Sequence, residues 1–241
     1  MLYLLKKLLI QLLERKGYCI SFGEPATFTG ILSSFGGGTQ NFFFIQIGAY
    51  DGRKGDPIYE LIRRNHWTGI LVEPQPDIFD RLKQNYAGFP GLVFENAAIA
   101  ENGIPGTLYK LKDEYAHLFR YDHRQLSSFN PEIIMRHLSQ PVDIRSALQP
   151  VETPCLSFAA LIKKHDVTKI DLLQIDTEGY DFEIIKGIDF EKIAPKVIHF
   201  EHAHLRNIER AECVDFLIAK GYKLVIGAYD ATAFQSKWMY D

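Results

Sequence analysis

Two short stretches in the second half of this 241-residue chain gather acids and histidines where apolar runs end. In residues 170–181, IDLLQIDTEGYD, an apolar run delivers Asp176 to a corner made by Thr177, Glu178 and Gly179. Glu178 or Asp181 can be accounted for as helix caps, but two acids and a glycine in one strand-to-helix corner leave Asp176 with no evident folding purpose. The next apolar run ends in HFEHAH, residues 199–204, which brings Glu201 and His202 to the same rim. A carboxylate beside a His–carboxylate pair suits general-base chemistry, with His202 or Asp176 taking the proton. The same Asp176, Glu201 and His202 could instead hold a divalent cation. Histidine is a poor magnesium ligand, so the metal ligands stay unassigned.

Three earlier strand ends carry binding groups. Gly48 and Gly52 flank the turn Gly48-Ala49-Tyr50-Asp51-Gly52, where glycine lets backbone approach a ligand closely. Glu73 follows Gly52 by twenty-one residues, in the place where a carboxylate accepts two hydrogen bonds from a ribose diol. Asn96, Ala97 and Ala98 offer an amide with small neighbours, suited to the edge and face of an adenine ring. Each of these signals has a bland structural alternative when taken alone.

The elements that would position these groups alternate from Asn41 onward. Strands are expected at 42–47, 69–73, 92–95, 170–176 and 196–201, with helices from Asp56-Pro57, at 77–86, 157–164, 180–186 and 208–220. Two closing strands, 222–226 and 231–238, are close enough to pair antiparallel. This is the pattern of a parallel sheet covered on both faces, whose ligands lie beyond the carboxyl ends of the strands. Apart from an extra strand at 106–111, the pattern lapses. Residues 112–154 read as a long irregular insertion, a loop or lid over the acceptor that offers His117, Arg120, Tyr121, His123, Arg124 and Ser127-Ser128.

Residues 1–38 form a separate N-terminal unit, a leucine-rich amphipathic helix followed by a glycine-rich linker ending in Gly36-Gly37-Gly38; residues 39–241 form the α/β domain. Lys6 and Lys7 interrupt the apolar run and no small-residue cleavage site follows, so the segment does not read as a signal peptide. Its leucine face suits packing on its own domain, a homodimer contact or peripheral contact with a membrane surface; no run is long enough to span one. Three cysteines, Cys19, Cys155 and Cys213, without close spacing suit a reducing, cytoplasmic compartment. A net charge of −3 with scattered basic residues argues against a nucleic-acid partner.

Taken in order, FIQIGAYDG, DPIYELI, WTGILVEPQPDIF, ENAAIA, SSF (127–129), IDLLQIDTEGYD and PKVIHFEH with GYKL after it resemble the FkbM family of S-adenosylmethionine-dependent methyltransferases over roughly residues 41–234. The resemblance implies the Rossmann-like class I methyltransferase fold, a seven-stranded, mostly parallel sheet with helices on both faces and an antiparallel last strand. It implies S-adenosylmethionine as cofactor, with Gln46, Gly48, Ala49, Tyr50 and Gly52 beneath the methionine portion and Glu73 with Pro74 at the ribose. Asn96 and Ala97 would flank the adenine, and Asp176 would face the cofactor amine and the site of transfer. Gln46 stands where many methyltransferases place an acid, so Asp51 or Asp56 is expected to assist with the ammonium. The acceptor implied is a hydroxyl on a sugar, a glycan or a natural product. Two other readings compete: an NAD(P)-dependent oxidoreductase on the same architecture, and a non-catalytic binding protein that kept the fold. The lack of Gly-x-Gly-x-x-Gly and the Asp176 corner weigh against the first, and the intact strand-end residues against the second.

Overall fold

The computed structural model describes residues 27–36, 38 and 41–235. The leucine-rich helix, Cys19 and the expected continuation of the last strand to Trp238 lie outside the described residues.

In chain order the elements are α1 (Phe28–Ser34), β1 (Phe43–Ile47), α2 (Tyr59–Asn65), β2 (Thr68–Val72), α3 (Pro76–Asn85), β3 (Leu92–Glu95), β4 (Ala98–Ile99) and β5 (Gly106–Leu111). Two 3-10 turns (Asp113–Leu118 and His123–Gln125) lead to β6 (Ser127–Ser128), α4 (Pro131–Arg136), α5 (Ile144–Ala147), β7 (Leu148–Thr153) and β8 (Cys155–Leu156). The chain closes with α6 (Phe158–Lys164), β9 (Leu172–Ile175), α7 (Asp181–Lys186), β10 (Val197–Glu201), α8 (Asn207–Ala219), β11 (Lys223–Ile226) and β12 (Asp230–Phe234).

Seven strands form one sheet in the order β11-β12-β10-β9-β1-β2-β3. All neighbours are parallel except β12, which runs antiparallel to β10 and to β11, as expected of the closing hairpin. From β1 the chain steps outward to β3, then returns to β9 on the other side. The order therefore reverses between β1 and β9, where an open α/β sheet leaves its ligand crevice.

Strand residues alternate between two apolar layers. Ile45, Ile47, Leu173, Ile175, Ile198 and Phe200 face α6, α7 and α8, while Phe44, Leu71, Leu172 and Val197 face α1 and α2. Each fully buried aliphatic side chain contributes roughly 1.5–3 kcal/mol, which locks the register and with it the strand ends.

Three local features depart from the expected pattern. The stretch read as linker contains α1, because Thr27 Oγ1 accepts from the Gly30 amide and Ile31, Leu32 and Phe35 bury against the sheet. Ala98 and Ile99 leave β3 and pair with β8. The insertion is not irregular: β5 pairs antiparallel with β6 and β7 over a small core of Leu111, Leu126, Ile133, Ile134, Ala147 and Leu148. Most of its elements are short, and β7 contains Pro150 and buries only its two end residues, so no alternation shows in the sequence.

Candidate functional site

The carboxyl ends of β1, β2, β9 and β10 open into a cleft of about 340 Å³, covered by Phe119, Tyr121, Phe129 and His137 from the insertion. Its floor begins at Gly48, whose φ is 79°. A Cβ there would lie 1.8 Å from the Asp176 carbonyl oxygen, so only glycine lets β1 turn this close to β9. The amides of Gly48 and Ala49 both donate to the Val72 carbonyl, which stacks the turn on β2.

Glu73 sits where that turn meets β2. Its carboxylate accepts from the Tyr50 and Gln75 amides, each at 2.9 Å. Only 3% of the residue is exposed, and burial pushes the carboxyl up to about 7 against the pull of those two amides. Two bonds leave roughly half of a carboxylate's acceptor positions unfilled. Tyr50 takes a left-handed backbone, φ 49°, to aim its amide this way.

Gln46 lines the cleft at the end of β1 and donates from Nε2 to Asp56 Oδ2 at 3.0 Å. Asp56 also lines the cleft and accepts from the Ile58 and Tyr59 amides through Oδ1; burial raises its carboxyl to about 6. An acid thus reaches the end of β1 from ten residues downstream. The buried Oε1 atoms of Gln46 and of its cross-strand neighbour Gln174 have no partner among the described residues. Asp51 instead accepts from the Arg53 and Lys54 amides and stays within its own turn.

Ala49, Tyr50, Pro74 and Ala97 line the cleft as well. Two other expected binding residues do not. Gly52 faces α3, where a Cβ would lie 2.5 Å from Leu82 and from Tyr86. Asn96 turns its amide onto the Glu73 and Pro74 carbonyls, at 2.9 and 3.2 Å, and so fixes the segment that carries Glu73.

Asp176 projects into the cleft from the end of β9, with its amide donating to the Ile47 carbonyl. Its side chain is open to the cleft yet ringed by protein, and that desolvation, with Glu178, Asp181, Asp230 and Asp56 nearby, holds its carboxyl well above the ordinary value. Glu201 lies across from it; burial, reinforced by Glu178 and Asp176, pushes this carboxyl up to about 10, so it keeps its proton at neutral pH. Asp181 is fully buried and accepts from the Thr177 hydroxyl at 2.9 Å, which ties the corner to α7.

His202 does not join them. Alternation past the end of β10 turns it to the opposite side, where its Nε2 lies 3.1 Å from the Gly227 carbonyl oxygen and its amide bonds the Tyr229 carbonyl. The turn that follows swings His204 back into the cleft, 2.9 Å from Glu178 and 3.4 Å from Glu201. His137 of the insertion packs its ring 4.8 Å from that of His204. Neither histidine stands out in the sequence: His204 lies beyond the strand, and His137 follows a six-residue helix.

The insertion is latched to the floor by side chains. The Tyr50 hydroxyl donates to Asp122 at 3.0 Å, Gln75 Nε2 donates to the Arg124 carbonyl, and Ser128 Oγ donates to the Glu178 carbonyl. The Arg124 guanidinium beside Asp122 holds that carboxyl below the usual carboxylate range.

The methyltransferase FkbM domain model matches residues 46–224. The chain belongs to the FkbM methyltransferase family. No curated protein matches its sequence. Among solved structures it is similar to the methyltransferase FkbM of Methylobacillus flagellatus KT, with 13% identity over 81% of this chain and a TM-score of 0.50; it spans 44% of that protein. It also matches the precorrin-6y C5,15-methyltransferase of Geobacter metallireducens GS-15, with 11% identity over 91% of this chain and 94% of the other and a TM-score of 0.45. The family and the strand order agree on a class I, Rossmann-like fold of S-adenosylmethionine-dependent methyltransferases. Among the described residues no helix is long and apolar enough to cross a membrane.

Proposed function

We propose that the cleft binds S-adenosylmethionine and that the chain methylates a hydroxyl oxygen on a sugar, a glycan or a natural product. The observation that carries this reading is Glu73, a buried carboxylate gripped by two backbone amides with acceptor positions left for a ribose diol. The unpartnered Gln46 Oε1, with Asp56 beside it, suits the cofactor's ammonium. Gly48, where a Cβ would strike the Asp176 carbonyl, lets the floor turn tightly at the end of β1, and Ala97 gives a small wall for adenine. These groups fit the cofactor.

Bound cofactor supplies a methyl group already activated by a sulfonium charge. The protein's part is to align the acceptor and remove its proton. Asp176 is open to the cleft at the junction of floor and lid, so we assign it the proton of the acceptor hydroxyl. Glu201, protonated, can donate to the same oxygen or a neighbouring one, and Phe119, Tyr121 and Phe129 of the insertion line the cleft beside them.

Calorimetry with S-adenosylhomocysteine and NAD(H) side by side tests the cofactor. Binding of the first and not the second is expected; the reverse would hand the cleft to an oxidoreductase. Methyl-labelled S-adenosylmethionine offered with hydroxyl-, amine- and thiol-bearing acceptors then tests the oxygen assignment. Label confined to amines or thiols would overturn it.

A further inference from the structure

Where the insertion closes on the rim, two sets of metal-ligating side chains share Glu178. The ligand atoms of His137, Glu178 and His204 all lie within 4.8 Å of one another, as do those of Asp176, Glu178 and Glu201. Among the described residues the ion pairs of these three acids run only to His204. Oε2 of Glu178 is buried against His204 Nε2, at 2.9 Å, and Oε2 of Glu201 is buried with no hydrogen-bond partner among the described residues. A buried carboxyl oxygen left without a partner is costly unless a donor or a cation completes it.

The corner is also built with unusual constraint. Glu178 holds a left-handed backbone, φ 53°, a conformation that a non-glycine residue keeps only when its surroundings impose it. The insertion does so from two directions. Ser128 Oγ donates to the Glu178 carbonyl at 2.8 Å. Ile133 of α4 presses on Gly179, where a Cβ would lie 2.3 Å from Ile133 Cδ1. That close approach brings His137, at the end of α4, over His204.

We propose that His137, Glu178 and His204 bind a divalent first-row transition-metal ion that ties the insertion to the catalytic rim. Two imidazoles and one carboxylate favour manganese, iron, cobalt or zinc over magnesium or calcium, which prefer oxygen ligands alone. Three protein ligands leave coordination positions open, and Glu201 stands next to them. An ion there would hold the acceptor hydroxyl and make its proton easier to remove, leaving Asp176 free to take it. That use rests on the methyltransferase reading; binding of the ion does not.

The test uses the full chain, stripped with EDTA and dialysed, without cofactor or acceptor. It is titrated with Mn²⁺ alone, followed by electron paramagnetic resonance, and with Co²⁺ alone, followed by visible absorption. One tight ion per chain is expected, with nitrogen hyperfine modulation on Mn²⁺ from coordinated imidazole. His204→Ala and His137→Ala should each weaken binding by about 10-fold or more. Circular dichroism and S-adenosylhomocysteine calorimetry on the same variants report fold and cofactor binding separately. Affinity weaker than millimolar, unchanged affinity in both folded variants, or Mg²⁺ displacing Mn²⁺ at equal concentration would each overturn the proposal. If a variant does not fold, absence of nitrogen modulation in the unmodified chain overturns it as well.

Discussion

The floor of the cleft and its lid are held by different kinds of bond. The floor is a product of sheet register: Gly48 and Ala49 donate to Val72, Glu73 donates from its amide to Glu95, and Asp176 donates from its amide to Ile47. The lid rests on side chains, chiefly Tyr50 on Asp122, Gln75 on Arg124 and Ser128 on Glu178. Displacing the floor means breaking the central sheet, whereas releasing the lid breaks side-chain hydrogen bonds and side-chain packing such as Ile133 on Gly179. A cleft built this way can keep one half fixed for a common cofactor and vary the other for different acceptors.

The sharpest way to break the comparison is to attack the floor where it has no slack. Gly48→Ala places a methyl carbon 1.8 Å from a backbone oxygen, on a residue at φ 79°. Neither β1 nor β9 can move without disturbing the core, so a loss on the order of 4 kcal/mol is expected. Urea denaturation measures it. A variant melting within about 2 °C of the parent chain would mean that the floor is more compliant than the packing implies.

Asp176→Asn keeps the shape and removes the proton-accepting group at the junction of floor and lid. Turnover should fall by roughly 10²–10⁴, the usual worth of a positioned base. Affinity for S-adenosylhomocysteine should stay within a few-fold, because Glu73 and Asp56 are untouched. Equal losses in turnover and affinity would make Asp176 a binding group and return the proton to another residue.

How far each half could be read in advance follows from the same division. Strand ends are legible, since an apolar run that stops at a polar residue marks both the strand and the residue it delivers; Glu73, Asp176 and Glu201 are such residues, and all three line the cleft. Errors cluster one step beyond the strands. His202 is expected at the rim beside Glu201, but alternation turns it away and the following turn presents His204 instead. Asn96 carries the right chemistry for a base edge, yet two bare carbonyls beside it claim the amide. Asp56 could be only one of two candidates, because its approach to Gln46 depends on how the intervening turn folds. The insertion hid its order in a two-residue strand, helices of four and six residues and a six-residue strand that buries only its ends.

Effects of pH should separate the floor's two duties. Burial raises Glu73 to about 7 and Asp56 to about 6, from ordinary values of 4.5 and 3.8. A raised acid favours the folded chain fully below its ordinary value, and that contribution is lost as pH rises through the raised one. The empty chain should therefore lose stability between pH 4 and pH 7, in the window these shifts define. Cofactor binding has the opposite sign, since diol and ammonium prefer the carboxylates ionised. S-adenosylhomocysteine affinity should rise across the same window, with protons released on binding. Glu73→Gln should lower affinity by about 10- to 100-fold at high pH and leave a shallower dependence, from Asp56 alone. Calorimetry in buffers of different ionisation enthalpy reads both; proton uptake on binding would contradict the assignment of Glu73.

The smallest effect should come from the lid, and its smallness is the point. Tyr50→Phe removes one hydroxyl that donates to Asp122 and leaves the Tyr50 amide on Glu73 intact. A single hydrogen bond to a charged acceptor contributes about 1.5–3 kcal/mol when buried, and less here because Arg124 still pairs with Asp122. The cost should fall on the lid. Amide exchange should quicken over residues 113–128 while the strands of the large sheet keep their protection, and the KM for the acceptor should rise a few-fold with cofactor affinity unchanged. If exchange quickened equally in β1 and β9, lid and floor would be one cooperative unit, and the division drawn between them would fail.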